Sequence, residues 1–254
     1  MPIVTLLEKL YSNLSPKLVE LRIQALCEGL EVAVKVVEIT NRGWIRVNVS
    51  GEDEVAALSL VEKEFGIAPV HTKNVKEGNV YRGKIVFSGK NDTEVHLDIG
   101  VSLPKPMDAA VSLQHLQAQL VDGRKLPLKR ISGLFCLLDN LSMEILIKRL
   151  DDKRKCFIAE LSERQISVIL QCVQSNLDRL VVLGALSEDV ENAVKKSGHL
   201  RDVAEIESLG ILEHAIVCKL GTDARGLIPR IGRLLPRAVF GVFSPKEISR
   251  FVKI

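Results

Sequence analysis

The side chains that could bind a metal or act as nucleophiles are spread widely along this sequence. They are His71, His96, His115, His199 and His214, with Cys27, Cys136, Cys156, Cys172 and Cys218. No two of them have the spacing of a closed zinc motif, and no CxxC pair is present. His214 and Cys218 would share one face of a predicted strand, which core packing explains. The sequence therefore predicts no metal site, and it predicts that the cysteines are free, mostly buried thiols.

Residues 221–226 have the two glycines of a phosphate loop but lack its lysine and its magnesium-binding hydroxyl. An ordinary strand-to-helix turn with Thr222 as N-cap explains the same residues. No GxSxG motif is present, and Glu213 and His214 would point to opposite faces of a strand. The sequence therefore indicates no cofactor and no recognised catalytic arrangement, although an enzyme remains an open alternative.

Charge is concentrated at the C-terminal end. Residues 219–254 contain eight basic and two acidic side chains, a net charge of +6, whereas the whole chain has +3. Such a bipolar chain favours an anionic partner, and a solvated helix face is the alternative. Four of the cations are Arg225, Arg230, Arg233 and Arg237. Pro229 and the neighbouring glycines predict that this segment is a kinked or broken helix.

The two ends of the chain have similar patterns. Residues 1–73 predict the order β-α-β-β-α, with Ser15 as a helix N-cap and Ser50 with Asp53 as a second capping box. Residues 163–254 predict a connecting helix that begins with Ser162 and Gln165 as a capping box, followed by β-α-β-β-α-β, where Ser187 caps a helix. The second order is that of a ferredoxin-like unit, and the first lacks only its fourth strand.

Residues 74–162 predict short strands with one helix around positions 113–120. Val95, Leu97 and Ile99 alternate with Glu94, His96 and Asp98. This alternation indicates one buried and one solvated strand face. A bulge at Gly83 would bring Val80 and Ile85 to the same face. The sequence thus predicts a multidomain α+β protein: a ferredoxin-like unit at 1–73, a small barrel at 74–162, and a helix with a ferredoxin-like unit at 163–254.

Five segments of the middle part resemble an OB fold of the ribosomal-protein-S-one type. They are residues 83–85, 95–100, 109–113, 143–147 and 158–162. The chain as a whole resembles an archaeal family called domain of unknown function 2110. Residues 198–202, 209–214 and 218–224 carry that second resemblance. The family resemblance implies no reaction, so the functional implication comes from the barrel.

The OB resemblance implies binding of single-stranded RNA. His96 is at the position of a base-stacking aromatic residue, Lys84 matches the lysine after glycine, and Tyr81 and Arg82 flank it. Several features depart from that pattern. Glu94 replaces a glycine, the connection through residues 90–93 is longer, and so is the segment between Leu113 and Met143. The carboxylates of Glu94 and Asp98 would repel phosphate, so a barrel that serves only as a protein scaffold is the alternative.

The sequence therefore predicts a cytoplasmic, non-catalytic factor that binds single-stranded RNA or associates with a ribonucleoprotein, with no membrane segment. The predicted RNA-binding residues are Tyr81, Arg82, Lys84, His96, Arg225, Arg230, Arg233 and Arg237. One alternative is an enzyme that acts on RNA or on a phosphorylated small molecule at an interdomain cleft near Arg201, Asp202 and Arg225. The other is a protein assembly adaptor. The sequence does not indicate an oligomeric state.

Overall fold

The computed structural model describes residues 3–11, 15–86 and 92–252. Its internal contacts define two compact units. Unit 1 combines Met1–Val75 with Ile99–Met107, and unit 2 combines Lys76–Asp98 with Asp108–Ile254. The barrel strands and the C-terminal module thus belong mostly to one compact unit. The two boundaries between the three domains expected from the sequence remain a prediction.

Unit 1 contains a three-stranded antiparallel sheet and two helices. Its elements are β1 (Ile3–Lys9), α1 (Pro16–Leu26), β2 (Val32–Ile39), β3 (Trp44–Gly51), α2 (Glu54–Phe65) and a 3-10 turn (Thr72–Asn74). The strand order is β1-β3-β2. Ile67 forms an isolated antiparallel bridge with Leu6, on the β1 side of the sheet. The order is that of a ferredoxin-like fold in which this single bridge stands in place of the fourth strand.

The two N-caps predicted for unit 1 have different outcomes. The Ser15 hydroxyl accepts a hydrogen bond from the Lys17 amide, which confirms the first cap. The Asp53 side chain makes no cap bond to α2 and instead accepts from the Glu31 amide at 2.9 Å. The predicted capping box is therefore wrong, because the Asp53 carboxylate binds the backbone amide of Glu31, 22 residues away, and not an amide of α2.

The middle of the chain forms a closed five-stranded barrel. Its elements are β4 (Val80–Val86), β5 (Glu94–Val101), β6 (Met107–Ser112), α3 (Leu113–Leu120), α4 (Leu128–Phe135), β7 (Ser142–Asp151) and β8 (Cys156–Leu161). The strand order is β4-β5-β6-β8-β7, and β6 pairs in parallel with β8. This is the OB arrangement that the sequence predicts, with α4 as an additional helix that the sequence reading missed.

The predicted bulge at Gly83 is wrong. β4 pairs with β7 in unbroken register from Val80 opposite Leu146 to Lys84 opposite Ser142. Consequently Val80 is 49% exposed while Ile85 is 1% exposed. The two aliphatic residues lie on opposite faces because an undisturbed strand alternates its side chains.

The C-terminal module is a complete ferredoxin-like fold preceded by a connecting helix. Its elements are α5 (Glu163–Gln174), β9 (Arg179–Leu183), α6 (Ser187–Ser197), β10 (Val203–Ser208), β11 (Glu213–Cys218), α7 (Ala224–Leu234), β12 (Val239–Phe243) and α8 (Pro245–Ile248). The sheet order is β10-β11-β9-β12, all antiparallel. Ser162 caps α5, as predicted. Ser187 is the first residue of α6 rather than its cap, so that prediction is wrong.

Both faces of the C-terminal sheet are covered within unit 2. On one face Leu180, Val182 and Ile216 pack with apolar residues of α6 and α7. On the other face Gly241 of β12 lies so close to Cys136 and Leu138 that an added Cβ would be 2.6 Å from Leu138 Cδ1. All six residues of β11 are buried. The sheet is therefore a middle layer between its own helices and the barrel region.

Candidate nucleic-acid interface

A cluster of three ionisable side chains lies at the start of β5. The Glu94 carboxylate accepts from Arg154 of the β7–β8 turn, and its Oε1 lies 3.0 Å from His96 Nε2. Glu94 is 8% exposed, His96 is 23% exposed and Arg154 is 46% exposed at the side chain. The hydrogen bond to Glu94 raises the pKa of the Arg154 guanidinium. We call these three residues the Glu94 cluster.

The Glu94 cluster removes the charge conflict that the sequence indicated. Because Glu94 is buried, paired with the Arg154 guanidinium and in contact with the His96 imidazole, its negative charge is balanced locally. The two more exposed members of the cluster are the His96 imidazole and the Arg154 guanidinium. An imidazole can stack on a nucleic-acid base, and a guanidinium can bind a phosphate. OB folds bind oligonucleotides on the second and third strands and on the loops after strands one and four. β5 is the second barrel strand and Arg154 lies in the turn after the fourth, so the cluster lies in that region.

The burial of β5 agrees only in part with the predicted alternation. Val95, Leu97 and Ile99 are at most 2% exposed, as predicted. The opposite face is not solvated throughout, since Asp98 is 0% exposed. Asp98 pairs across the strands with Lys84, which is also 0% exposed and forms an ion pair of 2.8 Å with Glu213. The C-terminal module covers this part of the barrel face.

The predicted exposure of Lys84 is therefore wrong. Its ammonium group bonds to a carboxylate of β11 and cannot reach an RNA phosphate in this arrangement. Tyr81 and Arg82 are half-buried. The Tyr81 hydroxyl accepts from the Lys76 amide at 2.9 Å, and Arg82 lies opposite Glu144 of β7. Of the four barrel residues predicted from the sequence, His96 has the geometry that best suits RNA contact.

The four C-terminal arginines are divided among different environments. Of the kinked or broken helix predicted here, the break is wrong, because α7 runs continuously from Ala224 to Leu234 with Pro229 inside it, and the kink stays a prediction. Arg225 pairs with Glu247 at 2.7 Å, and Arg230 donates to the Ser197 carbonyl at the end of α6 at 3.3 Å. Arg230, Arg233 and Arg237 are exposed, and none of the three pairs with an acidic side chain in residues 3–11, 15–86 or 92–252. These three remain able to contact phosphate.

A polar cleft of about 240 Å³ lies at the start of α7, lined in part by Asp178, Asp223 and Arg225. The Asp223 carboxylate accepts from the Arg225 amide at 2.9 Å, and Asp178 accepts from the Ala224 amide at 3.4 Å. The backbone amides that would bind an anion in a phosphate loop therefore already donate to carboxylates here. Asp223, not Thr222, is the N-cap of α7. The charge of this cleft does not favour a phosphorylated substrate.

Arg154 is the site residue that the sequence reading missed. It belongs to a basic turn at residues 153–155, which was a visible signal, but its partner Glu94 is 60 residues away. In the described ranges, no three His, Cys, Asp or Glu side chains are grouped so that they could hold a metal ion. No helix among those residues is long and apolar enough to cross a membrane.

The chain is similar to solved archaeal structures at low sequence identity. It has 12% identity to the a/eIF2alpha-aDim2p-rRNA complex structure from Pyrococcus horikoshii OT3, over 49% of this chain and 64% of that chain, with a TM-score of 0.26. It has 8% identity to the intact alpha subunit of aIF2 from Pyrococcus abyssi, over 66% of this chain and 96% of that chain, with a TM-score of 0.25. No curated protein sequence matches the chain.

Family models match three successive parts of the sequence. The DUF2110 N-terminal domain matches residues 3–71, the DUF2110 central domain residues 75–172 and the DUF2110 C-terminal domain residues 177–243. The central match contains the whole barrel, and the C-terminal match contains the four-stranded sheet. Because these matches together span most of the sequence, the chain belongs to the DUF2110 family and has all three of its domains.

Proposed function

We propose that this protein is a non-catalytic factor that binds single-stranded RNA through its barrel. The Glu94 cluster is the observation that carries the proposal. It presents a partly exposed imidazole and an exposed guanidinium at the loop end of the second OB strand, with the intervening carboxylate neutralised. The association with a ribonucleoprotein and the cytoplasmic location expected from the sequence are part of the same proposal.

In this proposal the two exposed members of the cluster have different tasks. His96 stacks on a base, since every base has a π-face that an aromatic ring can contact. Arg154 contacts a phosphate, and its pairing with Glu94 holds the guanidinium in place. Arg82, on the neighbouring strand β4 and on the same sheet face as His96, is a further proposed contact. Tyr81 precedes it in an unbroken strand and lies on the opposite face, so its ring is not placed on this path.

The exposed arginines of the C-terminal module add contacts of another kind. Arg230, Arg233 and Arg237 contact phosphates and supply affinity that depends on salt rather than on base sequence. The face of the C-terminal sheet is not the proposed RNA site. β11 has no Phe, Tyr or Trp, and all six of its residues, including His214, are buried, so it offers no platform for bases.

The direct test is binding of a labelled, unstructured 20-nucleotide RNA, measured by fluorescence anisotropy. His96→Ala should weaken binding by about 5- to 150-fold, because base stacking contributes about 1–3 kcal/mol. Arg154→Gln should also weaken binding. It should lower the slope of log-affinity versus log-salt by about 0.7, the value for one phosphate contact on a single strand. Lys63→Gln is a matched control, because it removes one positive charge at an exposed position of α2, which is not one of the barrel elements.

Circular dichroism must show that each variant is folded. Wild-type affinity in both His96→Ala and Arg154→Gln would contradict the proposal and favour a barrel that serves as a protein scaffold. Absence of any RNA binding by the wild type would also contradict it.

A further inference from the structure

The segment between the third and fourth barrel strands carries an unbalanced positive charge. Residues 123–138 contain four basic side chains and no acidic one. The four are Arg124, Lys125, Lys129 and Arg130, and all are exposed. The segment includes α4, whose residues Leu128, Ile131 and Leu134 are buried. The core side of α4 is therefore apolar, and its outer side is basic.

The end of the chain adds to this basic surface. The Arg124 guanidinium donates to the Arg250 carbonyl at 2.8 Å. The Arg130 guanidinium lies 5.6 Å from the centre of the Phe251 ring, and Arg250 is itself exposed. Two segments more than 100 residues apart in sequence thus meet here and bring their cations together. We call Arg124, Lys125, Lys129, Arg130 and Arg250 the basic platform.

Nothing in the described part of the chain neutralises the basic platform. None of its five side chains forms an ion pair with a described carboxylate. The nearest acidic residues in sequence, Asp122 and Asp139, lie just outside the acid-free segment. Like charges held together repel one another, and a bound polyanion removes that repulsion.

We propose that the basic platform binds the phosphate backbone of a double-helical RNA segment. The exposed platform residues are all cations, and the Phe251 ring beside them is covered on one side by Arg130. Arg and Lys side chains bind the phosphate oxygens of nucleic acids, and the platform itself contains no aromatic ring on which an unpaired base could stack. Double-helical RNA is recognised mainly by shape and by backbone contacts, whereas bases are read in single strands.

This inference rests on the proposed function, because it makes the preferred ligand an RNA in which a single strand adjoins a helix. The single strand contacts the barrel at the Glu94 cluster, and the helical part contacts the basic platform. The two surfaces belong to the same compact unit of the protein. Each surface can be tested separately with an RNA that offers only one of the two ligand types.

The experiment uses the full chain and three labelled RNAs: an unstructured 20-mer, a blunt 16-base-pair duplex, and that duplex with a single-stranded tail. The variant is Lys129→Gln with Arg130→Gln, two exposed positions of α4. For the blunt duplex, the variant's slope of log-affinity versus log-salt should be lower than that of the wild type by about 2, because each removed cation contributes about 1. The slope for the unstructured 20-mer should stay at the wild-type value. The matched control is Lys63→Gln with Arg164→Gln, which removes the same charge outside the platform.

The results separate this inference from the proposed function. An unchanged duplex slope in the variant overturns the platform but leaves the single-strand site, which His96→Ala tests. If the variant's slope falls equally for the duplex and for the 20-mer, the assignment of separate surfaces is wrong. If wild type binds vesicles with anionic lipids but no duplex RNA, and the variant loses the vesicles, the platform is a membrane surface and the inference is wrong.

Discussion

Lys84 of β4 and Glu213 of β11 form an ion pair with 2.8 Å between Nζ and Oε2, and their side chains are 1% and 0% exposed. The pair joins the barrel to the C-terminal sheet within unit 2, across 129 residues of sequence. Asp98, opposite Lys84 on β5, is also fully buried. A buried pair of this kind adds little net stability compared with apolar residues packed in the same place. Removing one partner is nevertheless destabilising, because the other charge stays buried after that ion pair is lost.

We expect Glu213→Gln to lower the free energy of unfolding by about 3–5 kcal/mol, because it removes a carboxylate that is bonded to the buried Lys84 ammonium. The triple variant Lys84→Met with Asp98→Asn and Glu213→Leu should lose much less, because it removes the charge of all three of these buried side chains. Urea unfolding monitored by circular dichroism measures both values. The control is Lys148→Met, which breaks an exposed pair with Glu160 and should cost less than about 1 kcal/mol. A triple variant as unstable as the single one would contradict this account.

The contact of β12 with the barrel region predicts a second effect on stability. Gly241→Ala should destabilise the protein by about 1–3 kcal/mol, because its Cβ would overlap Cys136 Sγ and Leu138 Cδ1. Gly226→Ala in α7 is the matched control. It has nothing within 4 Å of the added Cβ and should stabilise the helix by about 0.5–1 kcal/mol. The melting temperatures of the two variants should therefore shift in opposite directions.

The exposed arginines of the C-terminal module predict a change in salt dependence. Arg233→Gln with Arg237→Gln should lower the log-affinity versus log-salt slope for single-stranded RNA by about 1.4, from roughly 0.7 per phosphate. Arg230→Gln with Arg233→Gln should give a similar fall, with some loss of stability because Arg230 bonds to the end of α6. Parallel lines for wild type and both variants would show that these arginines do not contact RNA.

The thiols should differ in their reactivity. Burial raises the pKa of Cys136 to about 12, and burial with nearby aspartates raises that of Cys218 to about 11. At pH 8 the Cys136 thiolate is then about one part in ten thousand. Cys172 is only half-buried, so an aromatic disulfide reagent should modify it first. Rapid modification of Cys172→Ser protein at pH 8, with the fold intact, would contradict this order.

The predicted domain boundary near residue 73 indicates where a protease should cut. A protease of broad specificity should cut first between Lys73 and Lys76, which are exposed. Residues 95–99 of β5 are paired and mostly buried, so cleavage there should be slow. Mass spectrometry of the early fragments identifies the sites. A first cut between Val95 and Ile99 would not be compatible with a stable barrel.

The order of elements in this protein could be predicted from local sequence alone. The period-two alternation in residues 94–99 and the Ser162 cap of α5 each depend on only a few neighbouring residues. Both can therefore be recognised without knowledge of the tertiary structure. The two ferredoxin-like orders and the run of short barrel strands follow from such local patterns, whereas the OB assignment came from a resemblance to a known fold. The helix α4 was missed because the acid-free, Pro127-containing segment has no N-cap side chain to mark its start.

Tertiary structure alone decided which charged side chains face solvent. Lys84 and His96 looked equivalent in the sequence, since both lie on the outer face of a barrel strand. Their environments differ because β11 supplies Glu213 to one, and Glu94 and Arg154 flank the other. Partners 129 and 60 residues away leave no periodic signal in the chain. Burial of a charge depends on what the fold places opposite it, and local sequence cannot specify that partner.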